Sequence, residues 1–295
     1  VQLSLYILAA REGKTRLLRD TLPKGCETDV CTKSFEVVTK VKTNLRVNSN
    51  YRHLILDAPP HVLRCKPGQF FQILCPTTVL HRPFLRRPMS IYGYYRNTQE
   101  LHFLYKIHGE GTAALSSLSR GNELNLFGPL GRGFDIPKHC QHMLIVARGV
   151  GMATLAPLAM HARHHGKIVT AILSAAREDL LMSVDYFDDL GCDTTTVTDE
   201  AGTSAVDYVA SLITDAIERN GVDALYTCGS NRLLGLLKEI GKRHEIFGQV
   251  ALEQQMACGL GMCHCCVRPL LRDGHITQER VCRDGPVFTI DEVVI

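Results

Sequence analysis

The feature that most constrains this chain is a group of cysteines near its C-terminus. The sequence reads Cys258-Gly259-Leu260-Gly261-Met262-Cys263-His264-Cys265-Cys266, and Cys282 follows after fifteen further residues. Taking Cys258, Cys263, Cys266 and Cys282 as ligands gives C-x4-C-x2-C-x15-C, the spacing type of plant-type [2Fe–2S] sites. A four-residue loop with two glycines lets the backbone wrap an inorganic core and turn its amide N–H groups toward sulfur. The fourth thiolate must come from elsewhere. Arg272-Asp273-Gly274-His275 has the composition of a turn that brings the chain back to deliver Cys282. Zinc is the alternative, but zinc knuckles repeat C-x2-C, and no second C-x2-C occurs here. Cys265 reads as a free thiol and His264 as an exposed neighbour that modulates potential.

Composition enters where it limits the alternatives. Twelve cysteines in 295 residues is a high count, yet 45% of the chain is hydrophobic. A disulfide scaffold is usually shorter and poorer in core residues. No apolar run approaches the ~20 residues of a membrane span. The apolar stretch 3–10 is too short, and it lacks the basic flank and cleavage pattern of a secretory signal. A reducing cytoplasm is the expected compartment, with some thiols serving as metal ligands. Lys plus Arg exceed Asp plus Glu by 33 − 30 = 3, too even a balance for a nucleic-acid binder.

The pattern divides the chain into four parts. Residues 1–33 form an extension, read as a short helix lying on the surface or on a partner, with Cys26 and Cys31 unassigned. Residues 34–137 read as a β-barrel. Short strands are expected at 35–38, 51–56, 68–74, 90–95, 101–106 and 123–127, with a helix at 113–118. Residues 138–250 alternate strands (143–147, 167–174, 194–197, 224–228) with helices (153–165, 179–190, 205–219, 231–244), which means βαβ units and a parallel sheet. Residues 251–295 carry the cysteine cluster. The fold class is therefore β barrel plus α/β, with a C-terminal metal segment.

Three further motifs suit phosphate or flavin. Arg86-Arg87-Pro88-Met89-Ser90 begins a strand, and a guanidinium there can hold a pyrophosphate in bidentate fashion. Gly109-Glu110-Gly111-Thr112 opens the short helix, where free N–H groups suit an anion. Gly149-Val150-Gly151 follows the first parallel strand at the position where a pyrophosphate would sit, and Cys228-Gly229-Ser230 ends a later strand on the same rim. Taken alone, the first reads more readily as an exposed arginine and the second as a simply capped helix. His161, His164 and His165 share one helix and read as a solvated polar face rather than as metal ligands.

In this order Arg87-Pro88-Met89-Ser90, Gly111-Thr112, Gly128-Pro129-Leu130-Gly131-Arg132-Gly133-Phe134 and Gly149-Val150-Gly151 resemble the ferredoxin–NADP reductase-like flavoproteins. The segments Met256-Ala257-Cys258-Gly259 through Cys266 and Val281-Cys282-Arg283-Asp284-Gly285-Pro286-Val287-Phe288 resemble, more narrowly, the electron-transfer subunits of two-subunit, NAD-linked dihydroorotate dehydrogenases. The resemblance covers residues 34–295. It implies FAD in the barrel, contacted by Arg87, Pro88, Met89, Ser90, Leu104, Tyr105, Lys106, Gly111 and Thr112. It implies NAD(H) at Gly149, Gly151, Cys228 and Gly229, and a [2Fe–2S] cluster on Cys258, Cys263, Cys266 and Cys282. It also implies a partner: a catalytic dehydrogenase subunit carrying FMN, which oxidises dihydroorotate to orotate in pyrimidine biosynthesis.

Such a chain converts between two-electron and one-electron transfer, and no residue pair is asked to do acid–base catalysis. The departures from the family pattern lie in the nucleotide half: Arg148 where glycine is usual, Thr154 and Ser230 where proline is usual. Arg148 could take an extra phosphate or crowd the pocket. Two other readings follow. The same cofactors could serve a hydrogenase, a ferredoxin or another flavoenzyme. Alternatively, the nicotinamide site could be degenerate, leaving a flavin and cluster subunit.

Overall fold

Polar and apolar residues alternate along β1 (Phe35–Arg46) and β2 (Tyr51–Asp57), which pair antiparallel. A computed structural model describes residues 33–295; the surface helix expected in the N-terminal extension, with Cys26 and Cys31, lies outside the described residues. β3 (Phe70–Leu74), β4 (Arg87–Ser90), β5 (Gly93–Tyr95), β6 (Glu100–Lys106) and β7 (Glu123–Leu130) complete a seven-stranded sheet in the order β4-β3-β7-β1-β2-β6-β5.

The strand expected at 90–95 is two strands. β4 pairs with β3 at one edge and β5 pairs with β6 at the other. Between them the Ile91 N–H donates to the Gln69 carbonyl (3.1 Å) and the Tyr92 N–H to the His102 carbonyl (2.9 Å). One short stretch thus crosses from edge to edge and curls the sheet into a half-open barrel. Its alternation persists while its partner changes, so periodicity alone hides the break. Leu54, Leu56, Phe71, Ile73, Ile91 and Phe103 fill the interior. The helix α1 (Glu110–Ser116) packs Leu115 into that core and begins three residues before the expected start.

The second layer is a parallel sheet of β8 (His142–Arg148), β9 (Ile168–Ala175), β10 (Asp193–Thr198), β11 (Ala224–Cys228) and β12 (Phe247–Ala251), wrapped by α2 (Gly151–His164), α3 (Val184–Asp189), α4 (Val206–Asn220) and α5 (Asn231–His244). The strand order is β10-β9-β8-β11-β12-β15, with β15 (Val287–Thr289) antiparallel to β12. β8 lies between β9 and β11, so the winding reverses there and opens a crevice at the carboxyl ends of β8 and β11. The single helix expected at 179–190 is instead a 3₁₀ turn (Glu178–Leu180) followed by α3. Ser183, in the left-handed region at φ 63°, separates them, and the break turns Met182 into the core.

The cysteine segment is an excursion between β12 and β15. It contains a hairpin of β13 (Val267–Arg272) and β14 (His275–Arg280), turned at Asp273 (φ 50°) and Gly274 (φ 77°) as a two-residue loop with positive φ requires. Phe70 and Leu130 of the barrel, Leu252 and Phe288 of the α/β half, and Cys266, Leu270 and Cys282 of the excursion share one apolar core. Among the described residues no helix is long and apolar enough to cross a membrane.

Candidate functional site

Two glycines in left-handed conformation, Gly259 (φ 70°) and Gly261 (φ 80°), curl the loop after Cys258. This lets amide N–H groups converge on sulfur: Leu260 donates to Cys258 Sγ at 3.3 Å, and Cys282 donates to Cys266 Sγ at 3.4 Å. The four expected cysteines come together as two pairs. The Cys258 thiol lies beside that of Cys263, and the Cys282 thiol beside that of Cys266. Burial opposes ionisation of Cys258, but the Cys263 and Leu260 amides, the Cys263 thiol and the Met262 amide outweigh it and bring the pKa down to about 6. Cys282 is pushed up to about 12 by burial and by Cys266 beside it. Arg280 ties the two halves together, donating to the Gly261 carbonyl at 3.3 Å and to Asp284 at 2.9 Å.

Among the described residues no three His, Cys, Asp or Glu side chains gather as one metal ion requires. Two cysteine pairs supplied with amide donors would suit a binuclear iron–sulfur core held by four cysteines. The donor set therefore fits a [2Fe–2S] cluster better than zinc. Cys263 and Cys265 are exposed, whereas Cys266 and Cys282 are buried. The exposed Leu260 and Met262 flank Cys263.

The flavin motif assembles at the sheet edge. The Arg87 guanidinium lies against Gly111 of α1, and a Cβ at 111 would stand 2.7 Å from its Nε. A side chain at 111 would push the guanidinium out of this position. Pro88, Met89 and Ser90 are half-buried along β4. Thr112 also has partners within its own loop. Its hydroxyl accepts the His108 N–H at 2.7 Å and donates to the Gly109 carbonyl at 3.2 Å, so it shapes the loop from within. Leu104 and Tyr105 turn into the two cores and Lys106 is exposed.

At the crevice, Gly149, Gly151, Cys228 and Gly229 meet. A Cβ on Gly151 would lie 2.3 Å from the Cys228 carbonyl oxygen, and one on Gly229 would lie 2.1 Å from the Arg148 carbonyl oxygen. The glycines let two strand ends touch through backbone.

The three departures also acquire roles. Arg148 donates to Ser174 Oγ at 2.8 Å and forks onto Asp199 at 3.2 and 2.5 Å. Arg148, ahead of Ser204 and Arg232, holds the Asp199 carboxyl below its usual range. Thr154 lies beside the Cys228 thiol. Ser230 accepts the Leu233 N–H at 3.3 Å and caps α5. The helix histidines bond their own helix, His164 to the Met160 carbonyl and His165 to the His161 carbonyl, each at 2.8 Å.

Sequence reading missed Tyr51 and Glu253. A Cβ on Gly149 would lie 3.5 Å from the Tyr51 hydroxyl. Glu253 follows β12 and acts on both Tyr51 and Cys228. Part of its side chain meets solvent, yet desolvation of its carboxyl raises the pKa. No local motif flags either residue; both reach the crevice from distant strands.

Known proteins resemble this chain in sequence and in fold. A family model described as the iron–sulfur cluster binding domain of dihydroorotate dehydrogenase B matches residues 253–294. The chain is 34% identical over 263 residues to the dihydroorotate dehydrogenase B (NAD(+)) electron transfer subunit of Caldanaerobacter subterraneus subsp. tengcongensis, covering 88% of this chain and 99% of that one. The subunit of the same name from Desulforamulus reducens is 30% identical over 255 residues, 86% of this chain and 97% of that one. Among solved structures, an NADH-dependent reduced ferredoxin–NADP oxidoreductase described for flavin-based electron bifurcation superposes with TM-score 0.71 at 25% identity, covering 88% of this chain and 90% of that one. A ferredoxin–NADP+ reductase from Plasmodium falciparum shares the fold at TM-score 0.58 and 15% identity, over 74% of this chain and 95% of that one.

Proposed function

The chain belongs to the family of electron-transfer subunits of NAD(+)-linked dihydroorotate dehydrogenase B, and from that premise we propose that it carries electrons between NAD(H), FAD, a [2Fe–2S] cluster and the FMN of a catalytic partner that oxidises dihydroorotate. When bound, these groups supply the exchange between two-electron and one-electron transfer. The observation that carries the reading is the pairing of Cys258 with Cys263 and of Cys266 with Cys282 on a segment packed against the flavin barrel.

The residues of the chain bind and orient. Cys258, Cys263, Cys266 and Cys282 hold the cluster, and the loop amides disperse its charge. Arg87, set against Gly111, grips the FAD pyrophosphate; Pro88, Met89, Ser90 and the β6 segment Leu104, Tyr105 and Lys106 seat the rest, while Thr112 fixes the loop. Gly149, Gly151, Cys228 and Gly229 receive the nicotinamide nucleotide at the crevice. Leu260 and Met262, exposed beside Cys263, face the partner. The reducing cytoplasm is the proposed compartment, in keeping with ten described cysteines that are all free thiols.

The test is an anaerobic NADH titration of the holoprotein, followed by visible absorbance and low-temperature EPR. Bleaching of the flavin together with a reduced-cluster signal is expected. Reduction of both centres by dithionite but of neither by NADH would defeat the nicotinamide half of the reading. Arg87→Ala removes a charge-assisted bidentate contact of about 1.5–3 kcal/mol. It is expected to weaken FAD retention roughly tenfold to a hundredfold, read from flavin content after gel filtration; unchanged content would remove Arg87 from the site.

A further inference from the structure

Gln72 stands in the middle of β3 with its side chain fully buried, at 0% exposure. Neither its Nε2 nor its Oε1 has a hydrogen-bond partner within the protein. A buried carboxamide with both ends unmade is worse than an apolar side chain of the same shape, so its presence calls for a partner beyond the polypeptide.

Alternation along β3 shows where that partner lies. Phe71 and Ile73 point into the barrel, whereas Phe70 packs in the core that holds Cys266 and Cys282. Gln72 therefore faces outward with Phe70, toward the cysteine segment. Its carboxamide meets Gly259 there: a Cβ at 259 would lie 2.7 Å from both Cγ and Nε2 of Gln72. Gly259 adjoins Cys258. Along the sheet, Gln72 is registered opposite Pro88 of β4, and Ile73 opposite Arg87. One buried amide with unspent donors thus stands between the flavin strand and the first cysteine of the loop.

We propose that Gln72 is a positioning residue of the iron–sulfur site, its Nε2–H donating to sulfur, either a bridging sulfide or the Cys258 thiolate, when the cluster is bound. The inference rests on the reading that these cysteines hold the cluster. Donation to sulfur favours the more negative, reduced state and raises the cluster potential. It also fixes the loop to the strand that seats the flavin, which holds the distance between the two centres.

The experiment is an EPR-monitored potentiometric titration of cluster-loaded wild type, Gln72→Leu, Gln72→Met and Gln72→Glu, with thermal melts of the iron-free forms. Leu and Met keep the bulk and remove the donor. Each is expected to shift the one-electron reduction equilibrium toward the oxidised state by roughly threefold to tenfold, a tenfold change being about 59 mV, with altered g-values. Gln72→Glu shifts it further, because it adds a negative charge. The iron-free Leu variant is expected to melt no lower than wild type, since it removes an unmade polar pair. Loss of iron in both Leu and Met variants with flavin retained also supports the proposal. Potentials and spectra equal to wild type in all three variants overturn it, as does joint loss of flavin and iron in Leu and Met, which marks Gln72 as framework. Wild type that cannot be loaded with iron defeats the parent reading instead, a separate and recognisable failure.

Discussion

Replacing Cys263 with serine is expected to strip the cluster from the chain while FAD stays bound. The choice of cysteine matters. Cys266 and Cys282 are each 2% exposed and belong to the apolar core shared by all three parts of the chain. A hydroxyl there would be a buried polar group, at a cost of about 1–3 kcal/mol when unpaired, so loss of iron could not be separated from loss of folding. Cys263 is exposed in a loop, and its removal leaves that core untouched. Serine keeps the shape and a hydroxyl donor but supplies no thiolate, so Cys258 loses the thiol paired with it. Iron and acid-labile sulfide are expected to fall to background, and the reduced-cluster EPR signal to vanish. Flavin content and NADH-dependent bleaching are expected to persist, while delivery to the FMN partner collapses. Cys265→Ser is the control: Cys265 is also exposed, adjoins Cys266 and lies outside both pairs, so the variant is expected to keep a full iron signal. A full signal in Cys263→Ser would refute the ligand set.

That prediction is available from the sequence because three of its four cysteines lie within nine residues. Their spacing, the two glycines of the loop and the Asp273-Gly274 turn are local signals, and the structure returns each of them as a paired thiol, a left-handed glycine or a hairpin. The parallel sheet was legible for the same reason: 224–228 and 231–244 coincide with β11 and α5. What escaped depends on residues far apart in the chain. The role of Arg148 is set by Asp199, 51 positions later. Tyr51 and Glu253 reach the crevice from the barrel and from the end of β12. β12 itself carries Gly248 and Gln249 in a five-residue run, and its place is fixed by pairing with β11 and β15 and by Gln249 accepting the Asp135 N–H. The orphaned amide of Gln72 is visible only after β3 has been assigned an inner and an outer face.

Gly229→Ala is expected to abolish NADH binding at the proposed nicotinamide crevice while leaving the flavin and cluster sites loaded. Gly229 sits at φ 95°, and a Cβ there would stand 2.1 Å from the Arg148 carbonyl oxygen. The obstacle is backbone at the end of β8, so no change of rotamer relieves it. Either the ends of β8 and β11 must separate, or residue 229 must abandon its conformation. The backbone term alone is about 1–3 kcal/mol for a non-glycine residue held there, and separation would also disturb the Thr154–Cys228 contact. A total loss of roughly 3–5 kcal/mol places the variant among the severe single substitutions. Because the damage is confined to the carboxyl ends of the parallel strands, Arg87, Gly111 and the four cysteines keep their neighbours. Dithionite is expected to reduce both centres normally, NADH to reduce neither at a measurable rate, and NADH binding by calorimetry to disappear. Gly235→Ala supplies the comparison within the same half. It lies in α5, where a Cβ would meet only Ile295 Cδ1, at 3.7 Å, and alanine there gains about 1 kcal/mol of helix propensity. If Gly229→Ala bound NADH as wild type does, the meeting of β8 and β11 would be a packing contact, and the nucleotide would have to be sought elsewhere. If only Gly229→Ala fails, the close approach of the two strand ends is what admits the cofactor, because the clash forces that approach apart and the helical substitution leaves it intact.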